Sequence, residues 1–125
     1  MRIKVMPDYC SSGIWNADGK DESYELDPTD DLKLPDELVK RLDKWIEVYD
    51  EATFGGKEAW EGGADIDNKK FDFVNSESIF IAQEIKNLHP DWIVELWLET
   101  HCDGKLDGMV KMTMTEIFKY KTTYA

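Results

Sequence analysis

The sequence predicts an α+β domain, with two helices packed on one face of a small, mainly antiparallel sheet in the order strand, helix, helix, strand, strand. Three observations predict it. Residues 38–49 carry apolar side chains at helical spacing behind a proline-led start, residues 76–88 repeat that period, and residues 2–6 and 109–115 alternate with a period of two while 92–98 is a β-rich apolar run. At 125 residues, with 42% hydrophobic and 12% aromatic content, the chain is large enough for one core. It shows no linker, repeat or low-complexity tract, so residues 1–125 are expected to form a single domain.

Residues 2–6 read as a strand, with Ile3 and Val5 on one face and Arg2 and Lys4 on the other. Pro7 lacks the N–H that a central ladder needs, so the strand stops there and leads into the loop 8–13, with Ile14 and Trp15 following as an apolar anchor. Residues 16–20 are a turn by composition. Residues 22–34 read as an acidic surface loop holding at most one short strand, at 24–26.

The first helix starts at Pro35, whose fixed φ suits the first helical position, and Asp36 and Glu37 complement the positive end of its dipole. Leu38, Leu42, Trp45, Ile46 and Tyr49 form one apolar stripe, worth on the order of 10 kcal/mol gross when buried. Residues 53–68 read as loop, with Gly55-Gly56 and Gly62-Gly63 flanking Trp60, which either plugs the core or awaits a partner. Residues 71–74 lead into a second helix over about 76–88. Asn75 or Ser76 caps it, and Ile79, Ala82, Ile85 and Leu88 share its buried face. His89-Pro90 ends that helix. In the following strand Trp92, Val94, Leu96 and Leu98 share a face. Residues 103–108 are turn-rich, and 109–115 with 117–124 suggest a C-terminal antiparallel hairpin.

The formal net charge of −12 argues against nucleic acid and anionic membranes as partners, because both are held by Lys and Arg. The charge is uneven: residues 18–67 contain 17 Asp/Glu against 6 Lys/Arg, whereas 105–125 contain 2 against 4. A field of that sign speeds encounter with a basic protein. No apolar run approaches the roughly 20 residues of a membrane span, and the N-terminus has no signal-peptide pattern, so a cytoplasmic location is expected.

No complete catalytic or metal-binding constellation is present, and no cofactor is expected. Residues 65–76 resemble a calcium loop but place Lys70 where Gly is needed and Ser76 where a bidentate Glu is needed; the run from Asp103 puts Lys105 at the third position and Met114 at the twelfth. Cys10, Cys102, His89 and His101 lack zinc-site spacing. Reduced thiols are the default for Cys10 and Cys102, with a disulfide between them the alternative. A Cys10–His101 pair formed only in three dimensions is the one enzyme-like arrangement left open. The remaining chemistry is interaction: Tyr9, Trp15, Trp60 and Trp97 as anchors or as corners of the core, and Asp30, Asp31, Asp50 and Glu51 as steering charges.

The opening Met1-Arg2-Ile3-Lys4-Val5-Met6-Pro7-Asp8-Tyr9-Cys10-Ser11-Ser12-Gly13-Ile14-Trp15, with Leu34-Pro35-Asp36-Glu37-Leu38 and Leu42-Asp43-Lys44-Trp45, resembles a family of small uncharacterised bacterial proteins. That likeness implies no activity. By size, acidity and lack of a site the chain is also similar to toxin-immunity proteins, which implies a non-enzymatic inhibitor covering a basic toxin. Two other readings stand beside it: a small enzyme using Cys10 and His101, and a homo-oligomeric subunit pairing through the edge of the C-terminal strands.

Overall fold

A computed structural model describes residues 1–8, 11–18, 24–54, 68–102 and 105–112, with residues 53–54, 99–102 and 105–112 described by backbone alone. Strand β1 (Arg2–Val5) lies at the centre of a four-stranded sheet of order β2-β1-β3-β4. Its alternation is the predicted one: Ile3 and Val5 are fully buried, while Arg2 and Lys4 face the other way. Strand β2 (Ile14–Asn16) runs antiparallel to β1, so Ile14 and Trp15 belong to the sheet and are more than an anchor beside it. The outer edge of β2 is covered by residues 24–26, through a bridge between Trp15 and Glu25 and through hydrogen bonds from Asn16 N to Tyr24 O and Leu26 N to Ile14 O.

The sheet is mixed. Strand β3 (Ile93–Cys102) pairs with β1 in parallel and with β4 (Lys105–Met112) in antiparallel fashion. Parallel neighbours need a long crossover, and both helices lie between β1 and β3 in sequence. Cys102 pairs with Lys105, so the predicted turn over 103–108 is shorter than its composition suggests, and β4 starts before Gly108. A register shift after Thr100 leaves Asp107 as the extra residue of a bulge. β4 is the last described strand on its side; the second half of the predicted hairpin, 117–124, lies outside the described residues.

Helix α1 (Asp36–Phe54) begins where the sequence places it, with the Pro35 carbonyl accepting from Leu38 N and Val39 N, each at 3.0 Å. All five members of its predicted stripe are buried, and Val48 and Ala52 widen the face. Helix α2 (Asn68–Leu88) starts eight residues before the predicted Ser76. Phe71 and Val74 are fully buried and continue the stripe of Ile81, Ala82 and Ile85 backwards at helical spacing. The Ser76 hydroxyl does not cap; it donates to Asp72 O one turn back, as Ser78 does to Val74 O. Leu88, predicted on the buried face, is 45% exposed.

Both helices cover the face of the sheet that presents Ile3, Val5, Ile14, Val94 and Leu96. Trp45 is the pivot of this core. Its ring is fully buried, and its Nε1–H points at Val74 O (3.1 Å) and the Ser78 hydroxyl (2.9 Å), tying α1 to α2. Gly13, at φ +79°, lets the ring in: a Cβ there would lie 2.6 Å from Trp45 Cη2. The acidic loop before α1 is anchored in the same core by Leu26, Leu32 and Leu34.

Candidate interaction surface

The outer surface of the helix pair is built from residues that alternate with the core stripes. On α2, Glu77, Phe80 and Glu84 recur at spacings of three and four, which places them along one ridge. Arg41 of α1 reaches that ridge. Its Nε donates to Glu77 Oε2 (2.8 Å) and a terminal nitrogen donates to Oε1 (2.7 Å), and its guanidinium carbon stands 3.6 Å from the centre of the Phe80 ring. Two parallel hydrogen bonds and an aromatic face fix a planar cation in a way that an ammonium could not be fixed. The Arg41 pKa is raised, first by the Glu77 hydrogen bond, against the opposing effect of burial, and then by the charges of Glu77 and Glu84. The guanidinium therefore stays charged, with its partner already assigned.

Arg41 and the Phe80 ring it stacks on form one wall of a groove of about 220 Å³ between the start of α1 and the end of α2. Leu38, Phe80 and Leu88 supply its apolar surface, and Glu37 and Glu84 its carboxylates. Neither carboxylate is in an ion pair among the described residues. At the opposite end of the helices, Lys44, Lys69 and Lys70 surround Val48, Phe73 and Glu51 in a second groove of about 410 Å³. There Lys70 Nζ meets Glu51 Oε2 at 3.2 Å.

The described members of the predicted interaction set lie at separate places in the fold. Asp30 and Asp31 sit in the turn before α1. The Asp27 carboxylate accepts from Thr29 N and Asp30 N, Asp31 Oδ2 accepts from Asp27 N at 2.7 Å, and Lys33 closes the turn at φ +52°. Asp50 and Glu51 lie at the far end of α1, about 21 Å from Asp36 along the axis at 1.5 Å per residue. Trp15 is half-buried, with its Nε1–H donated to Met6 O at 2.8 Å. Trp97, also half-buried, lies on the sheet face away from the helices, with Lys4 Nζ 5.9 Å from its ring and the Arg2–Glu95 ion pair (3.1 Å) nearby in register. These two rings are integrated into the sheet. Tyr9, Cys10 and Trp60 lie outside the described residues, and so do the Cys10–His101 and Cys10–Cys102 pairings.

The groove residues Glu37, Arg41, Phe80, Glu84 and Leu88 were not singled out by sequence as a site. The available signal was the charged and aromatic ridge at 77, 80 and 84, which reads as an ordinary solvated helix face until α1 is laid beside it. Among the described residues no helix is long and apolar enough to cross a membrane.

Comparison with curated proteins and with solved structures gave no match. A family model, by contrast, matches residues 1–99, from the first strand through both helices and most of β3. The chain belongs to the Serratia CdiI immunity protein-like family.

Proposed function

We propose that this chain is an immunity-type inhibitor that binds a toxin and covers its working surface, without itself catalysing a reaction. The match to an immunity-protein family over residues 1–99 carries this reading. The net charge of −12 supports a basic partner, since opposite fields raise association rates and favour docking in one orientation. Steering of this kind is screened by salt.

Co-expression with the product of a toxin-like reading frame found beside this chain's own tests it. Rescue of growth and a co-purifying complex whose association slows as salt rises are the expected results. Titrating the toxin's activity should reach its end point at a fixed stoichiometric ratio. Inactivation at sub-stoichiometric amounts would mean that the chain acts as an enzyme, and absence of both rescue and complex would overturn the immunity reading.

A further inference from the structure

We propose that the groove between the start of α1 and the end of α2 receives a lysine or arginine side chain of the toxin, with Glu37 and Glu84 as its counter-charges. This deepens the immunity reading and rests on it. The groove has the two parts such a side chain needs. Leu38, Phe80 and Leu88 offer apolar surface for the aliphatic stem, and a carboxylate from each helix is available for the charged head. Arg41 does not occupy the place of the incoming cation, because its guanidinium is held by both Glu77 oxygens and stacked on Phe80. The lining carries Glu37 and Glu84 against Arg41 alone, a net charge of −1, and Arg41's hydrogen bonds are directed at Glu77 outside the groove.

Charge also selects this groove over the other. The second groove is larger and more open to solvent, and its lining carries Lys44, Lys69 and Lys70 with one carboxylate, Glu51, while Lys44 also meets Glu47 at 3.7 Å. A cationic side chain is repelled there and attracted here. Asp30, Asp31 and Asp36, in the turn and at the first residue of the helix that carries Glu37, are exposed as well. The pairing of Arg41 with Glu77 and Phe80 holds the wall in place before binding, so little ordering cost remains to be met on association.

The test has two arms, run on the full chain. In the first, toxin affinity is measured for wild type, the double variant Glu37→Gln/Glu84→Gln, and the control Glu47→Gln on the exposed face of α1. The double variant is expected to bind about 10- to 100-fold more weakly and with a shallower salt dependence, and the control within about 2-fold. A double variant that binds like wild type overturns the proposal and leaves the immunity reading intact. Should the double variant fold poorly by circular dichroism, Leu88→Lys places a tethered ammonium in the groove from a position that is 45% exposed, and should weaken toxin binding in its place.

The second arm needs no toxin. N-acetyl-arginine methylamide, titrated into ¹⁵N-labelled protein, should shift the amides of Leu38, Arg41, Phe80 and Leu88, and the shifts should vanish in the double variant. N-acetylglutamate should leave these amides unmoved. Shifts elsewhere, or none, overturn the groove assignment even if no toxin complex forms, so the two failures are distinguishable.

Discussion

At one end of the helix pair, a guanidinium is held by two hydrogen bonds and an aromatic face, against a carboxylate that is only 12% exposed. At the other end, an ammonium meets one carboxylate oxygen at 3.2 Å, and both side chains are more than 40% exposed. The same pair of helices thus closes with a built junction at one end and a solvated contact at the other. The difference lies in residue type. A planar fork can satisfy both oxygens of Glu77 while stacking on Phe80, whereas Lys70 can offer Glu51 only a point charge on a long, rotatable stem. The built junction ties up its own cation and leaves two carboxylates facing the groove. The solvated end lines its groove with three lysines, two of which meet exposed carboxylates of α1.

This comparison assumes that both ends rest on one core, and the largest expected effect tests that assumption. Gly13→Ala should drive a methyl into the Trp45 ring and force an L side chain into the left-handed region, at a combined cost of about 3 kcal/mol. Urea denaturation followed by tryptophan fluorescence and by far-ultraviolet circular dichroism should show one coincident transition, shifted to lower urea. Two separate transitions would mean that the helix ends do not share a core. Next in size, Trp45→Phe keeps most of the ring volume but removes the N–H shared by Val74 O and Ser78. A loss of about 1–3 kcal/mol is expected, again without distinction between the ends.

Much of that core was legible in the sequence, and the reasons are local. Proline at the start and a 3.6-residue stripe identify α1, alternation identifies β1, and a β-rich apolar run identifies β3, because burial is written directly into neighbouring residues. The start of α2 was not legible. Phe71 and Val74 have strand-like propensity and Ser76 looks like a cap, yet Phe71 packs edge-on against Tyr49, with ring centres 5.9 Å apart, and that contact with α1 overrides local preference. The parallel pairing of β1 with β3 joins residues about 90 apart, and no turn signal announces it.

The candidate site was less legible still. In sequence the acidity of residues 18–67 looks like one sided property, but Asp30 and Asp31 lie in the turn before α1 and Asp50 and Glu51 at its far end, where Lys70 of α2 meets Glu51. Glu37 and Glu84 come from different helices 47 residues apart, so their proximity is a product of packing and of nothing that composition records.

Breaking the built junction should cost less than disturbing the core and more than disturbing the far end. Glu77→Ala leaves Arg41 without its bidentate partner while the stacking on Phe80 remains, and with Arg41 partly exposed the loss is expected at about 1–2 kcal/mol. A double-mutant cycle with Arg41→Ala should give a coupling energy of about 1 kcal/mol. Additive effects would show that the two residues stabilise the helices independently, against the geometry.

The smallest effect is the one that sharpens the comparison most. Lys70→Ala and Glu51→Ala remove a pair whose Coulomb attraction acts in nearly bulk water and is opposed by the entropy of holding two long side chains together, so each should change stability by at most about 0.5 kcal/mol. Their cycle should give a coupling close to zero in 0.15 M salt, where charges this exposed are heavily screened. The same cycle at low salt should recover a few tenths of a kcal/mol, whereas the Arg41–Glu77 coupling should keep most of its value in both conditions, because directional hydrogen bonds and a partly buried carboxylate respond less to ionic strength. If the two couplings instead fell in parallel as salt rose, the junction at Arg41 would be one more surface ion pair. The groove beside it would then have no wall fixed before binding, and its carboxylates would have to bear the ordering cost of any cation they received.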